Sequence, residues 1–269
     1  MKENPIGVFD SGIGGLTVLK EIVRLLAGED TVYLGDTARV PYGTKSRETV
    51  VRYALEDAAF LRGFGVKIMV AACNTASAYA INELKRELDI PVIGVIGPGA
   101  RAAVAATKSD KIGVIGTEGT VQSRAYSMAI KELDPGMEVF EEPCPLFVPL
   151  VEEGFVNGPI TELVVERYLG GLKKSSIDTL VLGCTHYPLL KGAIKQFMGT
   201  GVTLIDSAEA TASEVKRILI EKGLGRGEVP TAPSHRFFVT DSPGRFAVVG
   251  KAFFGDRLNA PETVRVESP

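Results

Sequence analysis

A repeated local pattern is the strongest constraint on how this chain can fold. A short run rich in Val and Ile ends in a polar, Gly-rich turn, and a stretch with helical spacing follows. Ile6–Phe9 leads into Asp10-Ser-Gly-Ile-Gly-Gly15, Thr31–Leu34 into Gly35–Gly43, and Ile68–Ala72 into Cys73-Asn-Thr-Ala-Ser77. Val92–Val95, Ile112–Ile115, Thr179–Leu182 and Val202–Ile205 run likewise into Ile96–Gly99, Gly116–Thr120, Gly183–Pro188 and Asp206–Ala208. Between them lie helical patterns such as Arg47–Leu61, with Val50, Val51, Ala54, Leu55, Ala58 and Leu61 at helical spacing. The alternation predicts an α/β fold with parallel sheets and helices on both faces. Ligands of such sheets sit beyond the C-terminal strand ends, so the turns are where chemistry is expected.

A second, longer period is present. Val-Ala-Ala-Cys73-Asn-Thr matches Val-Leu-Gly-Cys184-Thr-His in form: an apolar strand, a Cys, a Thr within two residues, then a helix. The two Cys stand 111 residues apart, about one small α/β unit. This predicts two related lobes facing each other across a cleft. At 269 residues the chain has room for one large domain or two small ones. Gly223–Ser234, with three Gly and two Pro, reads as the most loop-like stretch.

Composition narrows the function. A net charge of −3 argues against a nucleic-acid partner, which calls for a basic stripe. No run of 18 apolar residues offers a membrane span. The N-terminus shows no hydrophobic signal region, and three Cys are too few for a disulfide scaffold. Free thiols fit a reducing, cytoplasmic setting.

A helix start favours a thiolate and lowers a thiol's pKa. Cys73 and Cys184 share that context, whereas Cys144, in Glu142-Pro-Cys-Pro145, lacks it and reads as structural. With only two His and no Cys-x-x-Cys, a metal site or redox disulfide is disfavoured. A two-base reaction remains: one thiolate removes a proton from carbon and a thiol on the opposite face returns one. Around the pair, Ser11 and the backbone N–H groups of its turn can hold a carboxylate, and Asp10 can hold an ammonium or tune a thiol. Asn74, Thr75, Thr117, Thr120 and Thr185 offer further donors, which suggests a small polar anion. His186 can set the proton state of Cys184. His235 reads as a surface-loop residue, and Glu152 and Glu153 edge the apolar run Pro145–Val151. No Gly-x-x-x-x-Gly-Lys-Ser/Thr loop provides for a nucleoside triphosphate.

Phe9-Asp-Ser-Gly-Ile-Gly-Gly-Leu-Thr17, Asp36-Thr-Ala-Arg-Val-Pro-Tyr-Gly43, Ala72-Cys-Asn-Thr-Ala-Ser77 and Leu182-Gly-Cys-Thr-His-Tyr-Pro188 together resemble glutamate racemase, of the aspartate/glutamate racemase family. The resemblance runs from residue 6 to about residue 213. It implies two Rossmann- or flavodoxin-like lobes related by a pseudo-twofold axis, with the active site in the cleft between them. The first would comprise residues 1–97 and 208–269 and carry Cys73; the second, 98–207, would carry Cys184. It implies a homodimer that interconverts L- and D-glutamate without a cofactor or metal and supplies peptidoglycan synthesis. Carried over by motif, Cys73 and Cys184 are the paired acid and base, supported by Asp10, Glu152 and His186, with Asp36 a further candidate. Asp10, Ser11, Tyr42, Gly43, Asn74, Thr75, Thr117, Thr120, Thr185 and His186 would bind glutamate. Glu153 competes with Glu152 as the aligned carboxylate.

Three other readings compete. An aspartate racemase shares the two-cysteine logic and differs by one methylene of pocket, worth only about 1–3 kcal/mol of discrimination. A cysteine hydrolase using Cys184 and His186 leaves Cys73 unexplained. A non-catalytic amino-acid receptor needs no thiols.

Overall fold

The computed structural model describes residues 2–227 and 232–266. The chain runs β1 (Ile6–Asp10), α1 (Leu16–Leu25), β2 (Thr31–Gly35), a 3₁₀ turn (Tyr42–Thr44), α2 (Arg47–Arg62), β3 (Ile68–Ala71), α3 (Asn74–Glu87), β4 (Val92–Gly94) and α4 (Ile96–Ala106). It continues through β5 (Lys111–Gly116), α5 (Glu118–Gln122), α6 (Ala125–Leu133), β6 (Glu138–Pro143), α7 (Phe147–Glu152), α8 (Pro159–Lys174) and β7 (Thr179–Gly183). A second 3₁₀ turn (Tyr187–Leu190), α9 (Lys191–Met198), β8 (Thr203–Asp206), α10 (Ser207–Glu221), β9 (His235–Val239), α11 (Pro243–Phe254) and β10 (Glu262–Thr263) complete it.

The strands form two sheets, ordered β10-β9-β2-β1-β3-β4 and β6-β5-β7-β8, and every pairing is parallel. The run β2-β1-β3-β4 has the same order as β6-β5-β7-β8, so the 111-residue period is a repeat of topology. Cys73 follows β3 and Cys184 follows β7, which are equivalent strands. The turns after β1 and β5, carrying Asp10-Ser11 and Thr117, are equivalent too. Helices cover both faces, so β1, β2, β3 and β7 are buried along their whole length.

All seven Val- and Ile-rich runs are strands. Three strands escape that signal. β6 (Glu-Val-Phe-Glu-Glu-Pro) and β10 lie at sheet edges, where the exposed Glu138 and Glu262 oppose further pairing. β9 begins at His235, which is therefore not a surface-loop residue: it pairs with Thr31 on β2, and its Nδ1 lies 3.0 Å from Thr31 Oγ1. Of the loop-like stretch Gly223–Ser234, residues 228–231 lie outside the described residues, and its flanks have no regular structure. No described helix is long and apolar enough to cross a membrane.

Candidate active site

Both cysteines line one small cavity of about 50 Å³, beyond the C-terminal ends of β1, β3 and β7. Ser11, Tyr42, Gly43, Asn74, Thr75, Thr117, Glu152, Thr185 and His186 line it with them. Wider clefts of about 590 Å³ lie elsewhere on the surface and contain neither cysteine. Asp10 and Thr120 stand one layer back. Asp10 accepts from the Gly12 N–H at 2.9 Å, and Thr120 meets the Thr75 and Thr117 hydroxyls at 3.3 and 3.0 Å. Thr75 and Thr117 are themselves 2.9 Å apart, so this hydroxyl ring joins the start of α3 to the start of α5.

The two sheets meet closely here. Thr17 Oγ1 donates to the Thr185 carbonyl at 3.1 Å. A side chain at Gly14 would collide with Thr185 and His186, so only glycine permits this approach.

Cys73 caps α3, and the Ala76 N–H donates to its Sγ at 3.5 Å. The expectation of a lowered thiol pKa at this helix start is nevertheless wrong. Burial, reinforced by the Asp10 carboxylate, pushes the Cys73 thiol up to about 12, against the opposing help of the Ala76 N–H and the Ser11 hydroxyl. Cys184 departs from expectation differently. No α-helix begins at it; a bend leads into the 3₁₀ turn, and α9 starts only at Lys191. Its neighbour is His186, whose Nδ1 lies 4.0 Å from Cys184 Sγ and whose Nε2 lies 3.1 Å from Glu152 Oε1. Burial opposes charge on His186, but the bonds to Cys184 and Glu152, with the field of Asp10, raise its pKa to about 10. The His186 bond lowers the Glu152 pKa in turn, helped by Arg245. Glu152, at the end of α7, thus meets His186, whereas Glu153 is exposed and reaches Arg245.

Asp10 is 1% exposed, and burial raises its pKa despite His186 and the Gly12 and Gly15 N–H groups. Among the described residues, its Oδ1 has no hydrogen-bond partner, nor does the Nδ2 of Asn74. Two buried atoms near the cysteines, one acceptor and one donor, are therefore unmatched. An amino acid supplies the complementary pair, an ammonium and a carboxylate.

Asp36 and Tyr42 meet in a second cluster beside the cavity that Tyr42 lines. Asp36 does not line the cavity. It joins Arg39, Glu56 and Asp57 in a buried charge cluster beneath the Tyr42 turn. Tyr42 Oη lies 2.5 Å from Asp36 Oδ2 and 2.9 Å from Asp57 Oδ2. Burial and the adjacent Asp36 hold the Asp57 pKa well above the usual carboxylate range, against the opposing pull of Arg39 and the Tyr42 hydroxyl. The Tyr42 hydroxyl is committed to this cluster, so the Tyr42–Gly43 turn offers the cavity its backbone. Nothing local in the sequence signals Glu56 or Asp57, which look like solvated helix positions.

Cys144 is fully buried away from the cavity, and burial raises its thiol pKa. Among the described residues, no three His, Cys, Asp or Glu side chains are grouped to hold a metal ion.

Comparison with known proteins gives a consistent picture. The profile of the Asp/Glu/hydantoin racemase family matches residues 6–215. A glutamate racemase of Geobacter metallireducens is 54% identical over 265 residues, 98% of this chain and 97% of that protein. The crystal structure of a glutamate racemase isoform from Bacillus anthracis is 45% identical and covers 99% of both chains with a TM-score of 0.95. The structure of a glutamate racemase from Francisella tularensis in complex with D-glutamate is 41% identical and covers both chains fully, with a TM-score of 0.94.

Proposed function

Since this chain belongs to the Asp/Glu/hydantoin racemase family, we propose that it interconverts L- and D-glutamate with Cys73 and Cys184 as the two bases. The observation that carries this reading is the convergence of two cysteines, from equivalent strand ends of two sheets, on one cavity lined by the unmatched donor of Asn74, with the unmatched acceptor of Asp10 one layer behind it. Residues 1–97 and 208–269 form one lobe and 98–207 the other, so each lobe contributes one thiol.

Glutamate's carboxylates accept from Ser11, Asn74, Thr75, Thr117, Thr185 and the Gly43 backbone, with Thr120 bracing the threonine ring. Its ammonium is balanced by Asp10. In the L-to-D direction the Cys184 thiolate takes the α-proton, and the electron pair stays on Cα. The Cys73 thiol then gives its proton to the opposite face and becomes a thiolate. Its high pKa suits Cys73 to hold that proton until Cα is reprotonated. His186, steadied by Glu152, exchanges a proton with Cys184. In the D-to-L direction the roles reverse. The thiols supply both acid and base, so the reaction proceeds without an added cofactor. A homodimer acting in the cytoplasm and feeding D-glutamate to peptidoglycan synthesis is the setting that fits this chemistry.

The test is to incubate the protein with L-glutamate in D2O, following the α-proton by NMR and the optical rotation in parallel. Racemisation requires exchange and loss of rotation together. Exchange with rotation retained, or neither change, would overturn it. L-Aspartate run alongside decides between the two amino acids.

A further inference from the structure

The carboxamide of Asn74 can face the cavity in two ways. Turned with Nδ2 inward it offers a donor to a carboxylate, and turned with Oδ1 inward it repels one. The two ends have nearly the same shape, so packing does not choose between them. A hydrogen-bond partner must.

That partner is Tyr126. It lies on α6, beside the second sheet, and its hydroxyl donates across the interface to Asn74 Oδ1 at 2.8 Å. Tyr126 is fully buried. Its ring fills space left by two glycines: a Cβ at Gly99 or Gly183 would stand 3.2 or 3.1 Å from it. The phenol proton is given to Asn74. Burial raises the Tyr126 pKa, so the donor persists at any working pH. With Oδ1 occupied, Asn74 Nδ2 remains buried at the cavity without a partner among the described residues.

We propose that Tyr126 is a positioning residue for substrate recognition, locking the Asn74 carboxamide so that Nδ2 donates to a carboxylate of the amino acid held between Cys73 and Cys184. This rests on the racemase reading for the identity of the ligand, but not for the orientation of Asn74. The lock also ties recognition to lobe geometry: Asn74 is correctly turned only when α6 and α3 are in register. Tyr126 escaped the motif-based reading because a Tyr on an amphipathic helix looks like ordinary core.

A double-mutant cycle with Tyr126→Phe and Asn74→Ala tests it, reading KM and kcat for L-glutamate separately. Tyr126→Phe keeps the ring and loses the proton. It should raise KM about tenfold, the size expected for one hydrogen bond to a charged group, and change kcat by less than about threefold. In the Asn74→Ala background the same change should do nothing further. An unchanged KM in Tyr126→Phe overturns the proposal, as does an equal loss in both backgrounds, which would mean that Tyr126 acts through packing alone. Asn74→Asp, with Tyr126 intact, keeps the accepted bond and turns an oxygen inward, so its KM should exceed that of Asn74→Ala; a lower KM also overturns the proposal. If the wild type does not racemise glutamate, the functional reading fails by itself. The orientation is then decided by ¹⁵N relaxation of the Asn74 side-chain amide in the unliganded protein. A rigid amide in the wild type that becomes mobile in Tyr126→Phe supports the lock, and equal mobility in both refutes it.

Discussion

Gly43→Ala should damage catalysis far more than a single methyl group suggests. Gly43 has ordinary negative φ, so its backbone tolerates alanine. The obstacle is the opposite wall of the cavity. An added Cβ would stand 2.6 Å from Thr117 Cβ and 2.9 Å from both Cγ2 and Oγ1, where ordinary contact begins at 3.4 Å. Thr117 cannot turn aside. It is β-branched and stiff at χ1, it caps α5, and its hydroxyl is held by Thr75 and Thr120. Relief must come from separating the Tyr42–Gly43 turn from α5. Overpacking of this kind costs about 1–3 kcal/mol of stability, and a displacement near 1 Å at a reacting centre costs about 100-fold in rate. The assay is kcat/KM for both enantiomers by polarimetry, with thermal melting recorded in parallel. Gly192→Ala is the control: Gly192 is an exposed position of α9 with nothing within 4 Å, so alanine should stabilise it by about 0.4–1 kcal/mol and leave activity unchanged. Gly43→Ala turning over within threefold of the wild type would refute the steric argument.

Two further outcomes follow from the same contacts. The His186 pKa rises from its ordinary 6.5 to about 10 in the fold, so its charged form contributes stability that is complete below pH 6.5 and lost as pH climbs through 10. Melting temperature measured across that window should fall in the wild type relative to His186→Gln, and parallel curves would contradict the assignment. Cys144→Ala should keep turnover within a few-fold of the wild type while lowering the melting temperature, because the thiol is fully buried in a packed core. A loss of turnover comparable to that of Cys73→Ala, with the fold intact by circular dichroism, would show that the wrong pair of cysteines has been identified.

The sequence reveals what depends on neighbours along the chain. Buried parallel strands must be apolar throughout, so the central strands of both sheets announce themselves, and the recurrence of strand, Cys and Thr foretells the equivalence of β3 and β7. Edge strands carry charge for their own reasons, so β6 and β10 leave no such mark. Proton affinities depend on what the fold brings near. Cys73 sits at a helix start, as its motif predicts, yet Asp10 and burial reverse the effect expected there. Glu152 and Glu153 cannot be told apart by sequence, because only the turn of α7 decides which one faces His186. The Asp36–Arg39–Glu56–Asp57 cluster and the Tyr126–Asn74 bond join residues between 3 and 52 positions apart, with no repeating signature to betray them.

The central claim, one cysteine per face of Cα, is tested most directly with β-chloroglutamate. Chloride leaves this compound once the α-proton is removed, so a single base suffices and no second proton is needed. Cys73→Ser and Cys184→Ser should both lose racemisation of glutamate, because a serine alkoxide is scarcely populated at neutral pH. Each should still eliminate HCl from one enantiomer, Cys73→Ser mainly from the L-isomer through Cys184, and Cys184→Ser mainly from the D-isomer through Cys73. The reversed preference would exchange the two roles and leave the mechanism standing, whereas equal processing of both isomers by each variant would contradict it.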